Sequence, residues 1–276
     1  MARQMLVSLG LGLAMSFAWP SICGATSAAL PLSFVTESFP PYTYAQGGQA
    51  AGPMVEVLHE VCAQLKRECQ VELLPWRRAL RSAERGEVDG ILAFVDLPSR
   101  RKLFYISAPV IDARYMFFAR AGQEFNYQGP NSLVGHKVGV YGPSGASLIL
   151  ADLTQGLDVE TVLEPDNPTV LRKLLAGRYG EQGLVLLNES MALLLMRGEG
   201  FGGLQAAGTA KSFGYSFGLS LQRVSRNDRQ AFDAALTDLC RKGRIADLLK
   251  HHGLPASACR TASTKPAIGL ARGPRP

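Results

Sequence analysis

A run of basic residues, Arg100-Arg101-Lys102, is the first feature of the chain that could do chemistry. A guanidinium is planar and offers paired donors, so Arg100 can hold a carboxylate through two charge-assisted hydrogen bonds. The alternative is a solvated charge run at a helix start or in a loop, which is the commoner role of such runs. The run alone leaves both interpretations open.

A second candidate anion site lies at Ser144-Gly145. These residues follow a predicted strand at Lys137 to Tyr141 and precede a helix expected from about Ala146. Backbone N–H groups and the Ser144 hydroxyl can meet an anion at such a helix N-terminus. The same residues serve equally well as an ordinary turn and N-cap, so both roles stay open.

Aromatic residues suggest the walls of a binding site. Phe39 lies in a proline-containing loop and Trp76 opens a predicted helix. Their faces can cover an apolar group or a cation, and core packing is the alternative, more so for Trp76. Tyr42 and Tyr44 are further candidates for the same wall. Glu37, in the same loop, can receive an ammonium group or only cap the loop.

The elements that must position these residues alternate between strand and helix. Apolar periodicity predicts strands at 32–35, 71–74 and 90–95 and helices at 54–65 and 76–85. A second unit begins near Tyr115, with strands at 116–119, 137–141, 184–187 and 215–221, a helix at 170–176 and closing helices between 232 and 249. This alternation predicts an α/β protein with a largely parallel sheet.

Length and composition bound the class of protein. The 276 residues suffice for two domains, and 47% hydrophobic with 19% charged residues is a globular composition rather than a disordered, collagen-like or coiled-coil one. The formal net charge is +6, and five of the positively charged residues lie near the termini. Without those five, the rest of the chain has a net charge of +1. Those five are Arg3, Arg260, Lys265, Arg272 and Arg275. A nearly neutral body gives no reason to expect a nucleic-acid partner.

The N-terminal residues predict export. Arg3 precedes an apolar run from Met5 to Trp19 and then small residues, the pattern of a secretory signal peptide over residues 1–25, with cleavage after Ala25 or as late as Ala29. A membrane anchor is the alternative, but the run is shorter than the roughly 20 residues a spanning helix needs. The residues before Cys23 are a poor approach to a lipid-modified cysteine. We expect a periplasmic protein.

Export changes how the cysteines are interpreted. Four remain in the mature chain, Cys62, Cys69, Cys240 and Cys259. An even number in an oxidising compartment suggests disulfides, with the local pairs 62–69 and 240–259 favoured among three possible pairings. No C-x-x-C pair occurs and the four histidines have no ligand spacing, so no metal or other cofactor is expected. Residues 260–276 lack periodicity and are predicted to be a disordered tail.

Several motifs together resemble a known family. They are the loop from Glu37 to Tyr44, the Gly86 to Gly90 segment, Pro98-Ser99-Arg100 leading to Ser107-Ala108-Pro109, and the closing helices from Phe232 to Leu249. In their order and spacing, from about Pro31 to Leu254, they resemble the bacterial extracellular solute-binding proteins of family 3. That family includes the histidine- and glutamine-binding proteins of ABC importers. The spacing of Cys62 and Cys69 also matches the disulfide of its histidine-binding members.

The resemblance implies a two-lobe periplasmic-binding-protein type II fold with a hinged cleft between the lobes. Lobe 1 would span residues 30–111 and be completed by 216–259, and lobe 2 would span 112–215. A ligand would be held between the lobes, which close around it. Nothing in the sequence indicates an oligomer, so we expect a monomer.

The resemblance also implies roles for the candidate residues. Family members use the arginine matching Arg100 for the ligand's carboxylate, and the gapless match through Ser107 favours it over Arg101. The Ser144 loop would face it across the cleft. Phe39 stands where the histidine-binding members stack an aromatic ring on the ligand.

Two departures from the family pattern concern the ligand. Ala93, Phe94 and Val95 replace hydroxyl-bearing residues just before the arginine. Asn188 stands where family members place the acidic residue that receives the ligand's α-ammonium group. An amide can still accept a hydrogen bond but gives an ammonium less Coulomb attraction, so the expected solute is an amino acid or a related carboxylate, and a ligand other than a standard α-amino acid stays open.

The sequence therefore predicts a periplasmic protein that captures a small carboxylate-bearing solute for an inner-membrane ABC permease. One alternative is an enzyme on the same fold that resembles cyclohexadienyl dehydratases, with Glu37 or Glu189 as the acid. Another is a ligand-sensing partner of a membrane receptor.

Overall fold

A computed structural model describes residues 30–198 and 200–259 of the chain. The predicted signal peptide (1–25) and the predicted disordered tail (260–276) lie outside the described residues. Within the described ranges, no helix is both long and apolar enough to cross a membrane.

Eleven strands are formed by the described residues. They are β1 (Leu32–Thr36), β2 (Tyr44–Gln46), β3 (Gln49–Ala51), β4 (Cys69–Leu73), β5 (Gly90–Val95), β6 (Phe104–Ile106), β7 (Ile111–Arg120), β8 (Lys137–Tyr141), β9 (Glu160–Glu164), β10 (Leu184–Asn188) and β11 (Leu204–Ser220). The α-helices of the same ranges are α1 (Pro53–Gln64), α2 (Trp76–Glu84), α3 (Gly145–Leu153), α4 (Asn167–Leu175), α5 (Glu189–Met196), α6 (Arg226–Arg241) and α7 (Arg244–His251). Two 3-10 turns cover Arg100–Lys102 and Pro130–Leu133.

One sheet runs through the molecule in the order β4-β1-β5-β11-β7-β10-β8-β9, with β6 also paired to β11. Strand β1 lies parallel to β4 and β5, and β8 lies parallel to β9 and β10. We call these two parallel groups the first half (β1, β4, β5) and the second half (β8, β9, β10) of the sheet. The α/β class is confirmed.

The prediction of a largely parallel sheet is correct for each half and wrong for the middle. There the long strands β7 and β11 pair antiparallel with each other, β11 pairs antiparallel with β5, and β7 pairs antiparallel with β10. The reason is topological, because β7 carries the chain from the first half to the second and β11 carries it back. Two connections of opposite direction lie side by side as an antiparallel pair.

Burial explains why the sequence signals for the central strands were strong. Every residue of β5 is buried, as expected for a strand covered on both faces. The last two helices of the described residues, α6 and α7, pack against α1 on the first half of the sheet. Met54, Leu58 and Phe232 belong to the resulting core.

The elements missed from the sequence are short, exposed or weakly patterned. Strand β9 alternates irregularly and is largely exposed at the sheet edge, and the β2–β3 hairpin has few buried residues. Helix α5 was not predicted either. The first part of β11 was missed because its small residues, such as Ala206 and Gly208, carry little strand propensity.

Both favoured disulfides are present. Cys62 at the end of α1 is bonded to Cys69 at the start of β4, with a Cα–Cα distance of 6.0 Å. Cys240 of α6 is bonded to Cys259, with a Cα–Cα distance of 5.6 Å. The first bond closes the turn between α1 and β4, and the second fixes the end of the described chain to α6.

Loss of the first disulfide should destabilise the protein measurably. Replacing Cys62 and Cys69 by alanine releases the unfolded chain from a short loop, which should lower the free energy of unfolding by about 2 to 3 kcal/mol. The matched variant without Cys240 and Cys259 opens a longer loop and should lose about 3 kcal/mol. Urea unfolding of the three proteins measures both effects. Four reactive thiols in the unfolded, unreduced wild-type protein would contradict the assignment.

Candidate functional site

A cavity lies where the two halves of the sheet face each other. Thr36 and Val95 end two strands of the first half, Tyr141 and Asn188 end two strands of the second half, and all four residues line it. In open α/β sheets, ligand sites form beyond the carboxyl ends of strands. The cavity is therefore the candidate binding site.

All seven residues singled out from the sequence line this one cavity. They are Glu37, Phe39, Trp76, Arg100, Ser144, Gly145 and Asn188. The further lining residues are Thr36, Ala93, Val95, Tyr115, Tyr141, Ala146, Asn167 and Tyr215. Tyr42 and Tyr44, also considered for the wall, are not among them. Both halves of the sheet thus contribute residues to the same enclosed space.

Arg100 is the cationic residue of the cavity wall. It sits in the 3-10 turn after β5 with only 7% of its surface exposed. One guanidinium nitrogen, Nη1, donates to the Val95 carbonyl at 3.1 Å, and the guanidinium carbon lies 4.2 Å from the Phe94 ring centroid and 5.5 Å from that of Trp76. Burial lowers the pKa of Arg100 to about 10, so it stays charged at neutral pH.

No carboxylate among the described residues forms an ion pair with Arg100. Its neighbour Arg101 is different, because its guanidinium pairs with Asp96 and donates from Nε to Oδ1 at 2.7 Å. Arg100 therefore faces the cavity as a buried cation without an ion-pair partner among these residues, and the more distant charge of Glu84 opposes the lowering of its pKa by burial only in part. A buried charge in this position favours an anionic ligand.

Ser144 is an N-cap in this structure. Its Oγ accepts from the Ser147 backbone N–H at 3.2 Å and donates to the Tyr141 carbonyl at 2.6 Å, while the Ser147 hydroxyl bonds the Ser144 backbone in a capping box. The hydroxyl is thus engaged locally. The backbone N–H groups of Gly145 and Ala146, the first two of α3, are the donors that remain for an anion.

Gly145 stands at a close approach between the two halves. A Cβ atom built on it would lie 2.8 Å from the Tyr115 hydroxyl and 3.0 Å from Cγ2 of Val95. Only a residue without a side chain lets α3 begin this close to the end of β5.

Asn188 is fully occupied as an acceptor. Its Oδ1 accepts from the Met191 backbone N–H at 3.0 Å, which caps α5, and from the Tyr42 hydroxyl at 3.1 Å. Its Nδ2 donates to the Tyr215 hydroxyl at 3.3 Å. Since a carbonyl oxygen has two lone pairs, the Asn188 amide has no acceptor left for an ammonium group.

Glu37 is the acidic residue of the cavity wall. Its Oε2 accepts from the Tyr141 hydroxyl at 3.0 Å. Burial raises the pKa of Glu37 to about 7, and the Tyr141 hydrogen bond only partly opposes this. The Glu37–Tyr141 and Tyr42–Asn188 bonds both join the first half of the sheet to the second across the cavity.

The aromatic wall is mixed in character. Phe39 is part-exposed, stacks on Tyr42 at 5.3 Å between ring centroids and meets Tyr215 edge-on at 5.9 Å. Trp76 is 6% exposed and packs against Phe94, so most of its ring belongs to the core. Its Nε1 donor has no hydrogen-bond partner.

Three cavity tyrosines were missed from the sequence. Tyr115 and Tyr215 are brought together only by the pairing of β7 with β11, and burial raises the pKa of Tyr115 to about 12. No local pattern marks them. Tyr141 ends a predicted strand just before the Ser144 loop, and that position was the available signal. Glu189, the alternative acid, pairs with Arg114 and does not line the cavity.

The family model of the bacterial extracellular solute-binding proteins, family 3, matches residues 33–255. The chain belongs to this family. Its resemblance to the family in sequence is thereby confirmed. A comparison with curated proteins finds no match.

Solved structures similar to this solute-binding protein share its fold. A histidine kinase sensor domain with similarity to periplasmic binding proteins matches with a TM-score of 0.72 and 19% identity, over 82% of this chain and 98% of that one. An L-arginine-bound amino acid ABC transporter substrate-binding protein from Streptococcus pneumoniae matches with a TM-score of 0.67 and 21% identity, over 80% of this chain and 94% of that one. A periplasmic binding protein of an arginine transport system from Legionella pneumophila matches with a TM-score of 0.67 and 17% identity, over 81% of this chain and 100% of that one.

These likenesses confirm the predicted fold class, a two-lobe periplasmic-binding-protein fold. At sequence identities of 17 to 21%, this similarity establishes the fold but does not identify the ligand. The ligand of this solute-binding protein has to be argued from its own cavity.

The raised pKa of Glu37 should make stability depend on pH. Because the folded carboxyl holds its proton up to about pH 7 while its ordinary value is 4.5, the unfolded chain releases that proton earlier. The free energy of unfolding should therefore fall as pH rises through this window, by at most about 3 kcal/mol, and level off above it. Glu37→Gln should remove this fall.

Denaturant unfolding of both proteins from about pH 4.5 to 8 tests this. Asp233, whose pKa burial raises to about 6, titrates in the same window but contributes equally to both proteins. A stability difference that stays constant over the whole range would refute the assignment to Glu37.

Proposed function

We propose that this solute-binding protein captures a small carboxylate-bearing solute in the cavity and delivers it to an inner-membrane ABC permease. The observation that carries the proposal is the buried Arg100 guanidinium, which lines the cavity without an ion-pair partner among the described residues. A carboxylate would supply that charge and accept two parallel hydrogen bonds.

The proposed capture uses the two halves of the sheet as lobes. Lobe 1 comprises residues 30–111 and 216–259, and lobe 2 comprises 112–215. The strands β7 and β11 are the covalent links between the halves, so rotation about them would open the cavity. In this arrangement the Glu37–Tyr141 and Tyr42–Asn188 bonds belong to the closed form.

The proposed roles of the other residues follow from their contacts. The N-terminus of α3 at Ser144 and Gly145 adds N–H donors and a positive dipole end for the bound anion. Phe39 and the exposed edge of Trp76 cover the apolar part of the solute. Glu37 meets a polar or cationic group of it, and Asn188 holds the wall in place.

The proposed location is the periplasm, reached through the signal peptide at residues 1–25. Two disulfides among the described cysteines fit an oxidising compartment. We propose a monomer that docks on its permease when loaded.

One observation favours an enzymatic alternative. A carboxyl with a pKa of about 7, as at Glu37, suits a general acid, and it faces the same cavity as Arg100. A cyclohexadienyl-dehydratase-like reaction would need such an acid. A ligand-sensing role with a membrane receptor uses the same cleft and differs only in the partner. Its support is the sensor-domain neighbour, which shares the fold.

The proposal is tested by replacing the cavity arginine. Arg100→Met keeps the apolar bulk beneath Phe94 and Trp76 but removes the charge, so binding of carboxylate solutes should fall at least about 100-fold. The matched control Arg101→Gln, in which a guanidinium paired with Asp96 is lost, should bind normally.

Thermal shifts of the three proteins against amino acids, opines, polyamines, dicarboxylates and prephenate measure this. A solute at a hundredfold excess over its Kd should stabilise the wild type by about 2.7 kcal/mol. Equal shifts in the wild type and Arg100→Met would overturn the assignment. A change of absorbance in the prephenate sample would instead make the protein an enzyme.

The ligand class is tested at Asn188. Asn188→Asp keeps an oxygen for the Met191 N–H and the Tyr42 hydroxyl and adds a negative charge at the N-terminus of α5. Affinity for α-amino acids should then rise about tenfold relative to their analogues without the amino group. Calorimetric titration of such matched pairs measures the ratio. An unchanged ratio would show that the ligand's polar end lies elsewhere.

A further inference from the structure

Helix α2 carries three arginines on one exposed face. Successive residues of a helix are 100° apart, so Arg77, Arg78 and Arg81 fall within a sector of about 100°, over about 6 Å of helix axis. All three are exposed. We call them the arginine face. The opposite side of α2, with Trp76, Ala79 and Ala83, is buried.

The arginine face is not neutralised locally. None of its three guanidiniums forms an ion pair or a side-chain hydrogen bond with another described residue. The sequence has no acidic residue from Leu73 to Ala83. Glu84, at the end of the helix, does not pair with Arg81, and Glu87 pairs with Arg85 instead.

Helix physics disfavours this arrangement. Arg77 and Arg78 stand in the first turn, where the helix dipole is positive and acidic residues are preferred. The N-cap position is Pro75, which gives no side-chain cap, and the first turn contains no acidic residue. A sequence that breaks a local rule without a compensating contact is expected at functional sites.

The arginine face directly follows a residue of the cavity wall. Trp76, directly before it, lines the cavity, but the three arginines do not. Burial raises the pKa of Tyr141, in the second half of the sheet, and the positive charge of Arg77 partly opposes that rise. Arg77, at the start of the face, therefore lies near enough to the second half to act on Tyr141.

We propose that the arginine face is a docking surface for a carboxylate-rich surface of a partner protein. A solute small enough for the cavity would meet Arg100 rather than this face. A membrane partner is disfavoured because the apolar side of α2 is packed in the core and has nothing to insert. The proposal holds whether the partner is a permease or a receptor.

The test uses a fluorescent decaglutamate peptide as the acidic probe and the full mature protein. The variant R77Q/R78Q/R81Q should bind it about tenfold more weakly than the wild type at low ionic strength, with the difference shrinking as salt is added. The matched control R226Q/R241Q/K250Q removes the same charge from exposed positions of α6 and α7 and should change the affinity less than twofold.

Two further measurements make the test decisive. The thermal midpoint of R77Q/R78Q/R81Q should equal or exceed that of the wild type, which separates lost docking from lost folding. Arg100→Met should bind the peptide normally, so failure of the cavity assignment would not affect the result. Equal losses in both triple variants, or no loss in either, would overturn the proposal. Tighter binding to phosphatidylglycerol vesicles than to the peptide through these arginines would overturn the protein-partner assignment.

Discussion

Arg100 places a positive charge in the wall of a cavity where no described carboxylate balances it. Removing a guanidinium from water costs free energy, and the chain offsets part of that cost through the Val95 carbonyl and the ring faces of Phe94 and Trp76. These contacts hold the group without supplying negative charge. A negative charge to balance it would have to come from outside the protein, which is the basis of the proposed anionic ligand.

The contact between Arg100 and the Phe94 ring depends on how β5 and β11 pair in the middle of the sheet. The ring of Phe94 lies under Arg100 because β11 has Gly218 where it passes β5, and a Cβ there would come within 2.6 Å of the ring. The pairing of β11 with β5 is irregular between Ser216 and Gly218, and Ala93 of β5 has a φ of 51°. The local irregularity in the pairing of β5 with β11 therefore positions the Phe94 ring, and the Phe94 ring in turn contacts the Arg100 guanidinium. The same two long strands bring Tyr115 and Tyr215 to the cavity.

How much of this the sequence could predict depends on the range of each interaction. The buried strands β5 and β10 and the helix after Ser144 were predictable, since continuous apolar runs and caps are local signals. The antiparallel middle was not, because nothing local marks β7 and β11 as partners. The seven proposed site residues were chosen from motifs, positions in predicted elements and the family resemblance, whereas nothing local pointed to Tyr115 and Tyr215. The hydrogen bond from Tyr42 to Asn188 joins residues 146 positions apart in the chain, so it too depends on the tertiary structure.

The polar groups around the cavity differ in what they leave for a ligand. The Asn188 amide is hydrogen-bonded to Tyr42, to Tyr215 and to the first turn of α5. The Ser144 hydroxyl is hydrogen-bonded to the first turn of α3. A solute that sought hydrogen bonds from these groups would have to break existing ones, which cancels most of the gain. Arg100 and the first N–H groups of α3 are different, because a carboxylate adds contacts there without removing any. Selectivity in such a cavity rests on which of its polar groups are already occupied, and here Arg100 and the first N–H groups of α3 offer donors while Glu37 offers a carboxyl group.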